Sequence, residues 1–366
     1  MKILLIGEYS NVHATLAKGL RHLGHKVTVV SNGDFWKNYP RDIDVSRGNG
    51  RLSGCRLLTK IMLLLPQLRG YDIVQLINPL CFELKAKTIA PLYRYLRKHN
   101  GKIVMGAFGM DYYWVHENIT HKRLRYSDFN IGDSLRKDFE ATRYINDWIG
   151  TDKETLNKQI AEDCDAIVAG LYEYWAVYHP VFPDKTTFIP FPIKQKEPYV
   201  EKGQLSPIRL FIGINKQRDK YKGTDIMLRA AQAITAKHQE KVRLFVAENL
   251  PFDEYVETFR HADVLLDQLY SYTPAMNALE AMSRGIVVVG GGEPENYSIL
   301  NEDELRPIVN VEPSYSSVYS QLENLVLHPE SLPMLKRQSV EYIGRHHDYV
   351  KVAQQYLRLY ESLTGH

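Results

Sequence analysis

The chain is predicted to be an α/β protein of two doubly wound, Rossmann-like parallel-sheet domains facing across a cleft. Three observations support this. Short apolar runs alternate with amphipathic helical stretches. The alternation breaks at a proline-bearing stretch near residue 190 and then restarts. A length of 366 residues also exceeds what one core ordinarily serves. Strands that alternate with helices need crossover connections, which make the sheets parallel and cover both faces.

Residues 2–6 (Lys-Ile-Leu-Leu-Ile) read as a buried strand, and residues 7–11 as a polar turn. An amphipathic stretch over 12–23 ends at Gly24 and leads into a strand at 26–31, which completes a βαβ unit. Strands follow at 73–77, 102–107 and 166–169, with helical patterns at 55–69, 83–99 and 152–163. Pro190, Pro192 and Pro198 among Lys and Glu mark a linker. The second series places strands at 208–214, 242–247, 264–267 and 286–289 and helices at 224–238, 252–261 and 275–284. The expected divisions are a first domain over 1–190, a linker over 191–205, a second domain over 206–345 and a tail over 346–366. The helical pattern of the tail at 350–363 suits packing back on the first domain.

Composition narrows the function classes. A charged fraction of 24% with 44% hydrophobic residues is that of a globular protein and excludes disorder and collagen. Cys55, Cys81 and Cys164 are odd in number and widely spaced, which excludes a disulfide scaffold, argues against a zinc site and fits the cytoplasm. No apolar stretch reaches the ~20 residues of a membrane span, and residues 1–10 read as a strand rather than a leader. The net charge of +3 hides an asymmetry: residues 1–100 carry 16 Lys/Arg against 6 Asp/Glu, or +10, and the remainder −7. A basic front favours an anionic surface or ligand. The acidic second half argues against nucleic acid.

Ligands of parallel sheets collect at the carboxyl ends of the strands, so the strand-to-helix loops matter most. After the strand at 208–214 come Lys216, Arg218, Lys220 and Lys222. Arg218, with forked donors, and Lys222, as a point charge, suit a diphosphate, although a solvated basic loop has the same composition. In the segment 267–285, Thr273 reads as an N-cap and Pro274 as the first helical residue, so the N–H groups of that helix would suit a phosphate. Glu280 can reach paired ribose hydroxyls or simply pair with Arg284 four residues on.

Lys-Gly-Thr-Asp at 222–225, Leu-Glu-Ala-Met-Ser-Arg-Gly at 279–285 and Gly-Gly-Glu-Pro-Glu at 291–295 resemble the donor half of GT-B glycosyltransferases, most closely the retaining family-four group. Tyr-Asp-Ile-Val-Gln at 71–75, Phe-Gly-Met-Asp at 108–111, Cys-Asp-Ala-Ile-Val-Ala at 164–169 and Phe-Ile-Pro-Phe-Pro at 188–192 are similar to its first half and hinge, in the same order. The resemblance implies that Arg218 and Lys222 hold the donor diphosphate and that Glu280, the second glutamate of an E-x7-E motif, holds the ribose. The first glutamate of that motif, which contacts the donor sugar, falls on Tyr272, and the histidine of a His-Gly-x-Asp motif falls on Phe108, with Asp111 retained on the acceptor side. Asp267, Glu293 and Glu295 remain as carboxylates able to replace the missing one. Thr273, Gly291 and Gly292 complete the expected donor-side set, the glycines through close backbone approach to nucleotide or sugar.

His13, at the start of the first helix, reads either as an acceptor-side base or as part of an ordinary helix start. Asp42-Ile43-Asp44 resembles the D-x-D metal motif of GT-A enzymes but is read as a surface loop, with no metal and no cofactor expected. Arg51, Arg56, Lys60 and Arg69 around an apolar run suit either an anionic membrane surface or the wet side of a sheet-covering helix. The aromatic and basic stretch 112–148 is expected to form an acceptor-binding lid. Together these readings predict a metal-independent, retaining transferase, cytoplasmic or peripheral at the inner membrane face. It would move a sugar from a nucleotide-sugar donor to a glycan or lipid-linked acceptor of the cell envelope. The alternatives are a non-catalytic sugar-nucleotide-binding partner of a transferase and a sugar-nucleotide epimerase.

Overall fold

The computed structural model describes residues 1–195, 207–248 and 259–365. The chain forms two compact units. One comprises Met1–Arg123, Tyr144–Pro192 and Tyr349–His366, and the other Leu124–Arg143 and Ile193–Asp348. Each is built on its own parallel sheet.

In chain order the strands of the first unit are β1 (Lys2–Ile6), β2 (Lys26–Ser31), β3 (Ile43–Asp44), β4 (Ile73–Leu76) and β5 (Lys102–Ala107). The two-stranded hairpin β6 (Asn130–Ile131) and β7 (Ser134–Leu135) of the second unit comes next, followed by β8 (Ala166–Ala169) and β9 (Thr186–Phe188) of the first. The first sheet runs β3-β2-β1-β4-β5-β8-β9, all parallel. Ile3, Leu4, Leu5 and Ile6 are wholly buried, as expected for a strand covered on both faces. The C-terminal helix Tyr349–Thr364 belongs to this unit and crosses the helix Val12–His22. A Cβ on Gly19 would lie 2.3 Å from the Tyr349 carbonyl oxygen, so glycine is what permits the close crossing.

The second sheet comprises β10 (Ile208–Ile214), β11 (Val242–Glu248), β12 (Val264–Leu266), β13 (Val287–Gly290) and β14 (Val309–Asn310), ordered β11-β10-β12-β13-β14 and all parallel. Its core packs Ile208, Leu210, Ile212 and Val264 against Met227, Ala230 and Ile234 of the helix Thr224–Lys237 and Val318 and Leu322 of the helix Tyr315–Leu327. Strand order reverses at β10/β12, and ligands of such sheets bind outside the carboxyl ends at that point.

Several expectations need correction. Residues 124–143, placed in the first domain as part of an acceptor lid, cluster with the second unit. Asp42-Ile43-Asp44 is not a loop throughout, because Ile43 and Asp44 pair with β2. Both carboxylates are spent on cations, Asp42 on Arg21 at 2.5 Å and Asp44 on Arg41 at 2.7 Å. Most of the linker at 191–205 and of the helix at 252–261 lies outside the described residues.

The amino edge of the second sheet is fastened by one buried carboxylate. Asp263, 1% exposed, accepts from Arg209 Nε at 2.9 Å, the Arg209 backbone N–H at 3.0 Å and Lys336 Nζ at 2.6 Å. These cations hold its carboxyl below the usual range although burial pushes the other way. Removing one partner of such a pair strands the others, so Asp263→Ala should cost about 3 kcal/mol in urea unfolding.

Candidate functional site

At the carboxyl end of β10 the chain enters a single helical turn, Asp219–Lys222, with Arg218 as its N-cap residue and Gly223 closing it. The Arg218 guanidinium lies 5.1 Å from the centre of the Tyr221 ring, and its Nε is buried with no hydrogen-bond partner. An unsatisfied buried donor costs ~1–3 kcal/mol. Lys222 is half-buried and electrostatically coupled to Asp267, at the end of β12. Burial raises the Asp267 carboxyl, while the Asn277 amide, donating at 3.0 Å, and Lys222 lower it. The structure thus gathers Arg218, Lys222 and Asp267 at the β10/β12 switch point.

The helix of the 267–285 segment runs Met276–Met282 with Ala275 as its N-cap residue. Thr273 and Pro274, expected as cap and first turn, lie before it. Thr273 is 4% exposed, and its carbonyl accepts from Ser271 Oγ at 2.6 Å, so the residue is used in the loop and not as the cap. Glu280 Oε1 accepts from Arg284 Nη2 at 2.7 Å, the i,i+4 pairing that was the alternative to ribose binding. Gly291 makes a close approach to the chain. A Cβ there would sit 2.2 Å from the Ser271 carbonyl oxygen, and the Gly292 N–H is taken by Asn310 Oδ1 at 2.9 Å.

Tyr272 is 1% exposed. Its hydroxyl accepts from the Arg125 backbone N–H at 2.7 Å, its ring lies 4.7 Å from that of Tyr126, and the Arg125 guanidinium sits 4.9 Å from its centre. Glu293, 6% exposed, accepts from Arg125 Nη2 at 2.6 Å, Tyr126 Oη at 2.6 Å and Asn310 Nδ2 at 3.1 Å. Arg125 also pairs with Glu295, whose carboxyl it holds below the usual range against the pull of burial. Sequence reasoning proposed Tyr272, Glu293 and Glu295 but did not foresee that residues 125 and 126 join them.

In the first unit the expected acceptor-side residues serve the fold. His13 is wholly buried, with Nδ1 2.8 Å from the Gly7 carbonyl and Nε2 3.1 Å from the Gln75 amide nitrogen, whose own oxygen accepts from Tyr360 Oη. Burial lowers its pKa to about 3, so it is not an exposed base. Asp111 caps the helix Tyr112–Thr120 by accepting from Trp114 N–H at 2.8 Å and also accepts from Tyr178 Oη at 2.8 Å, while burial lifts its pKa to about 7. Phe108 packs edge-on against His13 and Phe191. Glu8, which sequence reasoning passed over, accepts from the backbone N–H groups of His13 and Ala14 at the start of the first helix.

His116, Glu117 and His121 bring ligand atoms within 4.8 Å of one another. Arg123 Nη2 lies 2.9 Å from the Glu117 carboxylate, which is thus shared with a guanidinium.

Scanned against family models the chain matches none, and no curated protein matches it. Solved structures do. Sucrose-phosphate synthase from Thermosynechococcus elongatus is 14% identical with a TM-score of 0.63, each chain fully covered. Anabaena HepE in complex with UDP-glucose is 12% identical at 0.61, with 99% of this chain and all of that one covered. A Listeria monocytogenes protein assigned as a UDP-N-acetylglucosamine 2-epimerase is 11% identical at 0.57, with 99% and 96% covered. The chain has the GT-B fold. At these identities the likeness is one of fold. Within the GT-B frame, the basic turn and the Tyr272 cluster both belong to the second Rossmann-like unit.

Burial raises the Glu8 carboxyl from 4.5 to about 8. The folded state therefore favours the proton, and the associated stability is complete below pH 4.5 and lost as pH rises to about 8, by up to ~1.4 kcal/mol per pH unit. Thermal melts between pH 5 and 8.5 should fall more steeply for the wild type than for Glu8→Gln.

Proposed function

We propose that this protein is a glycosyltransferase that moves a sugar from a nucleotide-diphosphate donor, bound by the second unit, to a glycan or lipid-linked acceptor bound by the first. The observation that carries the reading is the buried, partnerless Arg218 Nε at the switch point of a GT-B donor-type sheet, with Lys222 on the same turn. A half-buried guanidinium with a donor left unpaired is a binding group for an oxyanion, here the donor diphosphate. As the glycosidic bond stretches, negative charge grows on the leaving diphosphate. Arg218 and Lys222 would stabilise it where it develops, supplying with protein cations the neutralisation a metal would otherwise give. The departing phosphate can take the proton of the acceptor hydroxyl, which suits a retaining course and leaves no obligatory task for a protein base. That course agrees with the sealed state of His13.

The basic first hundred residues support acceptors at an anionic surface. The helix Ser53–Leu64 buries Leu57 and Ile61 but leaves Met62 and Leu63 exposed beside Arg56 and Lys60, a composition suited to peripheral contact with lipid. No helix among the described residues is long and apolar enough to cross a membrane. Polysaccharide or glycolipid assembly at the cell envelope fits these features.

Epimerisation of a sugar nucleotide is the second reading, favoured by the epimerase likeness and by the absence of a carboxylate at Tyr272. The test is incubation with UDP-, ADP- and GDP-sugars, following released diphosphate and the configuration of the remaining donor. Transfer or slow donor hydrolysis supports a transferase. A changed sugar with intact diphosphate supports the epimerase, and saturable binding without turnover a non-catalytic partner. Arg218→Ala with Lys222→Ala should lower turnover about 100-fold or more; unchanged turnover would refute the donor-site assignment.

A further inference from the structure

The insertion Leu124–Arg143 leaves the sequence of the first half and packs within the second unit. It is a built element. Ser127 and Asn130 are wholly buried, Asn130 Nδ2 donates to the carbonyls of Leu124 and Gly132, and Phe129 is fully covered. Beyond its β6/β7 hairpin, Arg136 has a side chain only 6% exposed. Its guanidinium lies 3.5 Å from the centre of the Tyr270 ring, and Nη2 donates to the carbonyls of Lys220 at 2.8 Å and Tyr221 at 2.9 Å, while Asp138 balances its charge at 3.1 Å. Those two carbonyls lie in the single turn whose N-cap residue is Arg218 and whose last residue is Lys222. The turn has few internal hydrogen bonds, Lys222 N–H to the Arg218 carbonyl at 3.0 Å and Gly223 N–H to the Lys220 carbonyl at 3.3 Å, so groups outside it add to what holds its shape. Arg136 does this through Nη2 alone, while Nη1 donates to the Ser127 carbonyl at 3.2 Å and the guanidinium packs on Tyr270, a combination that lysine cannot reproduce.

At the other end of the insertion, Arg125 and Tyr126 grip Glu293. Glu293 is the N-cap residue of the helix Pro294–Leu300 and lies beside Tyr272, where the carboxylate is missing.

We infer that the 124–143 insertion is a donor-site element that positions both ends of the donor. Arg136 sets the turn carrying Arg218 and Lys222 for the diphosphate, and Arg125 orients Glu293 as the carboxylate that reads the sugar. The inference rests on the donor site proposed above and deepens it. Arg136 and Arg125 are positioning residues, because each acts through another group.

Affinities of the full-length protein for UDP, ADP and GDP and for UDP-glucose, ADP-glucose and GDP-mannose, measured by calorimetry, test both halves. Arg136→Ala should weaken diphosphates and their sugars alike, by tenfold or more, and Arg136→Lys should not restore them. Arg125→Gln should weaken the sugar forms at least fivefold relative to the parent diphosphates. Asp263→Ala, which loosens the same unit from the opposite edge of its sheet, should leave both affinities unchanged and so marks what lost stability alone does. The inference is overturned if either variant spares its own half of the donor, or if Asp263→Ala weakens binding as much. Should Arg218→Ala with Lys222→Ala leave diphosphate affinity intact, the donor site itself is wrong. If that pair abolishes affinity while Arg136→Ala does not, only the present inference falls.

Discussion

The second unit depends on the uniform polarity of its strands. All five are parallel and helices pack on them, so apart from Arg209 near the start of β10 the side chains along β10, β12 and β13 are apolar. Polar chemistry is thereby driven to the sheet edges. At the amino edge it is spent on stability, where Asp263 collects Arg209 and Lys336. The carboxyl edge is where successive crossovers diverge, and the chain there tolerates costs that a purely structural loop would shed. Arg218 keeps a buried donor unused, and Asp267 is held under burial beside Lys222. Costs of this kind persist where a ligand repays them.

What could be read from the sequence follows from how local each signal is. β1, β2, β5, β8 and β10 coincide with their continuous apolar runs, because a strand buried on both faces announces itself residue by residue. β3 is two residues long and takes its existence from β2, so nothing at Ile43–Asp44 could have marked it. Thr273-Pro274 carries a familiar helix-start pattern, yet the helix begins at Met276 because the loop spends Thr273 on Ser271 and threads Gly291 against the 271–272 backbone. The destination of residues 124–143 was hidden for a like reason. Its partners at 220–221, 270–272 and 293–295 lie about 80 to 170 residues away, and only folding brings them together.

Sites of proton chemistry were the least legible. His13 and Asp111 stand where a catalytic base and an acceptor contact were expected, but each has its polar atoms engaged by the fold, His13 by Gly7 and Gln75 and Asp111 by Trp114 and Tyr178. Residue type and position said nothing of this, because the deciding partners Gln75, Tyr178 and Tyr360 come from other strands and helices. Glu8 is the converse case: an unremarked glutamate becomes the acceptor for the first helix's N–H groups because the turn folds it back over them.

A tyrosine at position 272 has a consistent electrostatic logic. A glutamate at 272, buried as deeply as the tyrosine is, would stand beside Glu293 and Glu295 and put a third negative charge around one guanidinium. Tyrosine instead offers a neutral ring under Arg125 and a hydroxyl that accepts from the Arg125 backbone, so it fixes the same arginine twice without adding charge. Glu293 is then free of like-charge crowding at 272 and is held by a cation, a phenol and an amide. A carboxylate held from three sides is rigid, which is what recognition of sugar hydroxyls requires.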